Sequence, residues 1–269
     1  MLFMSAFREA ELAQRRFERE LEIAVAQRQF VLHYQPQFSV STGDLVGCEV
    51  LIRWQHPTRS LLRPAQFFDI LLTSPLSVTL GEWIIRTALA RVREWQTHCP
   101  ALRVSINLFP SQLSHAELAT VVWESTEGNA SFVDLEVDEP LLTTLTEEQP
   151  DLFEAVGATG ASFIIDHYGR TLGSMNLLQY DFVAGLKIDK KLTGQLEENR
   201  HVRMMFETIT TLGHSLNISV LAEGVESAAQ RALVKAAHCD VVQGNGLCQP
   251  LTEEDFEAWL CDKTAGEHV

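Results

Sequence analysis

Asp166 and Lys187 are the two side chains of this sequence best spaced to do chemistry together. Asp166 ends the run Ser162-Phe163-Ile164-Ile165, a short apolar segment that reads as a strand buried on both faces with an acid at its carboxyl end. A second apolar run, Phe182 to Ile188, carries Lys187 near its end. An Asp in such a place also serves as the N-cap of a following helix, and a Lys there also suits a solvated edge, so neither residue alone marks a site. Repetition changes the odds. Glu49, Asn107, Glu136, Glu223 and Gln243 also fall in or at the ends of apolar runs, making four acids, two amides and a lysine. Carboxylates converging on one mouth raise one another's pKa and do not all stay ionised without a cation. An oxygen-rich set of this kind suits Mg²⁺, Mn²⁺ or Ca²⁺.

Such a set needs a scaffold that brings many strand ends to one rim. Strands are expected at 30–35, 45–54, 103–107, 132–136, 162–166, 182–188, 218–222 and 240–243. Helical patterns fall near 65–73, 80–97, 115–125, 149–158, 173–179, 199–215, 226–237 and 253–262. Eight strands alternating with helices over about 240 residues fit an α/β fold of the (β/α)8 TIM-like barrel type better than an open sheet. Residues 5–28 carry mixed charges around Phe7, Leu12, Phe17, Leu21 and Ile23, a pattern that fits an ordinary surface helix or a connector to another domain or subunit. The expected organisation is an N-terminal helix or connector over 1–28, a barrel over 29–262 and a tail over 263–269.

The composition narrows the function classes. With 21 Lys and Arg against 36 Asp and Glu, the net charge of −15 repels phosphate, which argues against DNA as a partner. A phosphate ligand would need a metal or a well-placed arginine. The five cysteines are odd in number and form no CxxC pair, so neither a disulfide framework nor a zinc cluster is expected. Charged residues follow Met1 to Met4 closely, and Gln29 to Gly43, one of the two longest uncharged stretches, is polar and interrupted by Pro36. The expectation is a cytoplasmic chain with no membrane insertion.

The ordered set Tyr34-Gln35-Pro36, Glu49-Val50-Leu51 with Arg53-Trp54 and His56-Pro57, Asn107, Glu136 with Glu139, Asp166, Lys187-Ile188-Asp189, Ala222-Glu223-Gly224-Val225-Glu226 and Gln243-Gly244 resembles the EAL domain. That bacterial family hydrolyses or senses the second messenger cyclic di-GMP, and the likeness covers residues 15 to 262. It implies that Glu49, Asn107, Glu136 and Asp166 hold a first Mg²⁺ or Mn²⁺. It implies that Lys187 orients the attacking water, that Glu223 acts as general base or second-metal ligand, and that Gln243 contacts this acidic group beside Glu226. Arg53 would grip ligand phosphate, with Gln35 and Glu49 on the nucleotide side, and Glu139 would support the loop. Relatives often form homodimers, and an upstream sensory domain or partner protein is expected with them.

Departures from the family pattern bear on activity. The usual Asp-Asp-Phe-Gly-Thr-Gly is here Asp166-His167-Tyr168-Gly169-Arg170-Thr171, so His167 takes the place of an aspartate that helps hold a second metal. An imidazole there weakens Mg²⁺ binding, although Mn²⁺ or a softer ion tolerates it better. Arg170, Thr171, Leu172 and Gly173 alter the following loop, Asp138 stands for a Thr, Phe109 for a Ser and Leu72 for a Glu. Three readings follow. The first is a receptor for cyclic di-GMP or a very weak phosphodiesterase, and it is favoured over an active phosphodiesterase giving pGpG. The third is a protein-interaction module without the nucleotide, which would not need the acids.

Overall fold

The computed structural model describes residues 2–114, 117–170 and 175–266, with side chains from residue 14 to residue 262. Thr171, Leu172 and Gly173, singled out in the sequence, lie outside the described residues. Among the described residues nine strands form: β1 (Phe30–Ser39), β2 (Leu45–His56), β3 (Ser60–Leu62), β4 (Arg103–Asn107), β5 (Val133–Asp138), β6 (Ser162–Tyr168), β7 (Val183–Ile188), β8 (Ser219–Ala222) and β9 (Val241–Val242). Eight of them close a ring in the order β1-β9-β8-β7-β6-β5-β4-β2, with β2 pairing back to β1 and β3 hanging on the outer side of β2. This is the expected barrel.

One strand departs from the simple plan. β1 runs antiparallel to both β2 and β9, while the pairings from β2 round to β9 are parallel. The reason is the five-residue link from Val40 to Asp44, which turns through Gly43 at φ +83° and is too short for a crossover helix. β1 also continues four residues beyond its expected end at 35, through Pro36. Tyr34 donates its N–H to Leu251 on the β9 side, so the missing N–H of Pro36 points the same way, where the two-residue β9 does not reach.

The helices are α1 (Leu2–Ala26), α2 (Phe68–Leu72), α3 (Leu76–Trp95), α4 (Leu118–Ser125), α5 (Glu139–Glu148), α6 (Pro150–Gly157), α7 (Lys190–Thr193), α8 (Arg200–Ser215), α9 (Ala228–Ala236) and α10 (Glu253–Gly266). The expected helix at 173–179 is a short 3₁₀ turn over Met175–Gln179. α5 follows β5 at once, with Pro140 in its first turn, and was not expected from the pattern. Caps fix the helices that leave the barrel mouth: Asp189 accepts from the Lys191 N–H at 2.7 Å, Asn199 from His201 at 3.0 Å and Ser227 from Gln230 at 3.0 Å. The core is filled by strand residues such as Val104, Leu135, Phe163 and Val220, and by Leu21 and Ala24 of α1. Phe17 meets Trp54 edge-on at 5.5 Å, and Glu20 pairs with Arg59, so the second half of α1 is part of the barrel wall. No described helix is long and apolar enough to cross a membrane.

Candidate functional site

Parallel register places the acids at one end of the ring. Asn107 is level with Glu136 across β4 and β5, Asp138 with Asp166 across β5 and β6, and Ile188 with Ala222 just before Glu223. This is the carboxyl end of the parallel strands, where barrels build their sites. A cavity of about 350 Å³ opens there, bounded by Glu49, Asn107, Asp166, His167, Lys187 and Glu223, with Phe68 and Phe109 on its apolar side.

Lys187 sits at the centre, only 2% exposed. Its Nζ donates to Glu136 Oε2 at 2.6 Å, lies 3.0 Å from Glu49 Oε1 and stands 4.0 Å from Asp166 Oδ1. Burial works against the ammonium, yet Glu136, then Glu49, Asp166 and Glu223, hold it well above the ordinary lysine range. Glu49 is also buried, but Lys187 and hydrogen bonds from Gln243, Lys187 and Asn107 overcome that cost and hold its carboxyl below the usual range. Those bonds run from Asn107 Nδ2 to Oε1 at 2.8 Å and from Gln243 Nε2 to Oε2 at 2.5 Å. Glu136 goes the other way: burial, then the Glu49 charge, push it well above the usual range, with Lys187 opposing. Its Oε1 is buried without a hydrogen-bond partner. An orphaned carboxylate oxygen beside other oxygen donors suits a hard cation, and Glu49, whose two oxygens already face Asn107, Lys187 and Gln243, would have to exchange one of those contacts to join Asn107, Glu136 and Asp166 around it.

Glu223 is half-buried, and burial raises its pKa despite the pull of Lys187. His167 adopts φ +56° where the β6–β7 register slips between Ile165 and Tyr168, a local bend that re-aims its ring. Asp166, His167 and Glu223 offer ligand atoms that all lie within 4.8 Å of one another. Gln35 reaches the site indirectly, accepting from Gln243 Nε2 at 2.9 Å. Gln243 was expected beside Glu223; its amide instead grips Glu49, because β9 closes the ring next to β1 and β1 is level with β2 at Gln35 and Glu49.

Other residues sit outside the cluster. Arg53 is buried but does not line the cavity; its Nη1 turns back to the Ile52 carbonyl at 2.9 Å. Glu226 is exposed, and its backbone N–H donates to Gln230 Oε1 at 2.7 Å at the start of α9. Glu139 is buried in the first turn of α5, where its charge adds to burial in raising the Tyr168 hydroxyl. Gln37 was missed in the sequence. It donates to Gln243 Oε1 at 3.0 Å and to Ser105 Oγ at 3.3 Å, extending the polar layer beneath Glu49. Its signal was the alternation Gln35, Gln37 on one strand face, hidden by ending the strand before Pro36.

Acids gathered round a buried amine at the carboxyl mouth of a barrel place this chain among barrel proteins with an acid-lined site at that mouth. The sequence model of the EAL domain matches residues 18–250, and the chain belongs to the EAL domain family. It is 31% identical over 243 residues to the bifunctional diguanylate cyclase/cyclic di-GMP phosphodiesterase MucR of Pseudomonas aeruginosa, covering 89% of this chain and 36% of that protein. It is 30% identical over 247 residues to the cyclic di-GMP phosphodiesterase NbdA of the same organism, covering 90% and 32%. A solved structure of the PaMucR phosphodiesterase in complex with cyclic di-GMP matches with a TM-score of 0.84 at 30% identity, covering 90% of this chain and 99% of that one. The chain spans about a third of the length of these curated relatives.

Proposed function

We propose that this chain is a degenerate EAL domain that binds cyclic di-GMP over the acid-lined mouth with the help of Mg²⁺ or Mn²⁺, acting as a receptor or a very weak phosphodiesterase. The observation that carries the reading is the gathering of Glu49, Asn107, Glu136 and Asp166 around Lys187, with Glu136 Oε1 left unpartnered. The naming of both curated relatives as phosphodiesterases, and the nucleotide in the similar structure, support the choice of ligand. A divalent cation held by these four residues would supply positive charge against the ligand phosphates and would polarise water.

The chain's own groups do the rest. Gln243 and Asn107 fix the Glu49 carboxylate in one orientation, and Lys187 holds Glu49 and Glu136 together while keeping a donor at the cavity floor. Glu223, raised in pKa by burial, is suited to take a proton from water. Arg53 binds phosphate once its guanidinium leaves the Ile52 carbonyl. His167 is the brake: an imidazole stands where a second carboxylate would hold a hard cation. Losing one cation of a pair costs several kcal/mol of barrier lowering, on the order of a thousandfold in rate. The same geometry favours one alternative, an active phosphodiesterase, because Lys187 and Glu223 both face the cavity.

Incubation with cyclic di-GMP in Mg²⁺ and in Mn²⁺, with binding and pGpG release measured in one sample, separates the readings. Binding with little release supports the receptor, rapid release in Mg²⁺ supports the enzyme, and no binding in either metal refutes both. A homodimer and an upstream sensory domain or partner protein complete the proposed cytoplasmic signalling role.

A further inference from the structure

We infer that the amino-terminal end of the barrel, opposite the acid-lined mouth, holds a separate binding site for a small organic cation, a primary ammonium or amidinium with a short apolar body. A cavity of about 390 Å³ opens there. Arg103, Ser131 and Ser219, all reaching solvent, form its rim, and the buried Gln37, Ser105 and Glu136 close its inner end. Barrel interiors are ordinarily filled by layers of large branched side chains. Here Ser105 and Ser162 are both level with Asp134 across β4, β5 and β6, and Gly185 is level with Ser219 across β7 and β8. These small residues leave the layer open. Ile164, Leu221 and Val241 line its apolar side and are only half-buried.

The donors of this cavity are committed and an acceptor is not. Arg103 clasps Asp134 through Nε at 2.9 Å and Nη2 at 2.6 Å, and its Nη1 donates to the Ser131 carbonyl at 2.9 Å, so its charge is spent at the rim. Gln37 Nε2 is held by Gln243 and Ser105. Glu136 lines this cavity and not the one at the mouth. Its Oε2 is taken by Lys187, while its Oε1 has no hydrogen-bond partner among the described residues. Glu49 and Glu136 share the one Lys187 ammonium, at 3.0 and 2.6 Å, which leaves negative charge over at the inner end. A buried acceptor without a donor costs free energy. An ammonium or amidinium satisfies it with a charge-assisted hydrogen bond, the serine hydroxyls accept its remaining N–H groups, and the aliphatic side takes its apolar body. An anion is repelled there, and a bare metal ion would find a single free carboxylate in a space far wider than itself.

The test uses the full chain in EDTA without nucleotide, so that no metal competes for Glu136 and the reading of the mouth is not at stake. Benzamidinium is the probe and benzamide, of the same shape without the charge, its control, both titrated by ligand-observed NMR. The parent should bind benzamidinium at least about tenfold more tightly than benzamide. Ser162→Leu, which fills the cavity without touching the mouth, should lose that binding, and Glu136→Gln should weaken it at least about tenfold. Glu223→Gln, at the mouth, should leave it unchanged. If Ser162→Leu does not fold by circular dichroism, Ser219→Leu at the rim serves in its place. No binding of benzamidinium at millimolar concentrations, equal binding of benzamide, or binding that survives the filled cavity and is lost in Glu223→Gln each overturns the inference.

Discussion

Replacing Lys187 with methionine tests the charge balance of the mouth. The ammonium is 2% exposed and contacts Glu136 at 2.6 Å and Glu49 at 3.0 Å, so its loss leaves two buried carboxylates without their cation. Breaking a buried pair from one side costs about 3–5 kcal/mol. At about 2–4 °C per kcal/mol for a chain of this size, that lowers Tm by roughly 6–20 °C. The pH dependence has a definite sign. Burial and then Glu49 raise Glu136 above its ordinary value, so the folded state holds that proton more tightly than the unfolded state, and stability is lost as pH rises through the folded-state pKa. Lys187 is the opposing group in the parent: its raised pKa means its stabilisation is present below the ordinary value of 10.5 and is lost only above it. Without that amine, Lys187→Met should recover part of its deficit between about pH 8 and about pH 5. Thermal melts by circular dichroism in EDTA measure this, and Mg²⁺ at about a hundred times its Kd should then return about 2.7 kcal/mol. A variant that melts with the parent at pH 8 in EDTA, or whose deficit grows as pH falls, would refute the reasoning.

Four other outcomes are expected. Removing divalent metal with EDTA should weaken cyclic di-GMP binding in calorimetric titration, because four acids and the ligand phosphates then share one cleft; undiminished affinity would place the phosphates away from Glu49 and Asp166. Arg53→Ala should lose at least about tenfold in nucleotide affinity, about 1.4 kcal/mol, while the apo melting temperature changes little; a large stability loss with unaltered affinity would make Arg53 a wall residue tied to Ile52. His167→Asp should release pGpG faster than the parent in Mg²⁺, with the parent relatively better in Mn²⁺, as measured by nucleotide chromatography; no gain would put the block in another part of the mouth. Gly224→Ala should lower Tm and nucleotide affinity together, since Gly224 has φ +74° and an added Cβ would meet Lys190 Cβ at 2.4 Å, forcing the neighbouring Glu223 to move. The backbone cost is on the order of 1–3 kcal/mol, and a variant as stable as the parent would show that this turn is soft.

Where the sequence was legible and where it was not follows from what each feature depends on. Buried parallel strands are continuous apolar runs, so Ser162 to Ile165 and Phe182 to Ile188 could be read locally, together with the acid or amine each delivers to the rim. The antiparallel course of β1 was equally local, written in the short link around Gly43, but Pro36 hid the far half of the strand and with it Gln37. Arg53 shows the limit of face counting: it alternates correctly from Glu49, yet near the end of a twelve-residue twisted strand the guanidinium bends back to Ile52 and leaves the cavity. Which groups touch across strands is a matter of register, and register is not local. Gln243 meeting Glu49 depends on how the ring closes, and Asp138 facing His167 depends on β5 and β6 being level at Asp138 and Asp166 and on the slip that turns residue 167. The surroundings of a substituted residue are set across the strand pair and not along its own strand: His167 Nδ1 lies 3.3 Å from Asp138 and 3.1 Å from Asp166, and only the paired geometry shows the first of these neighbours.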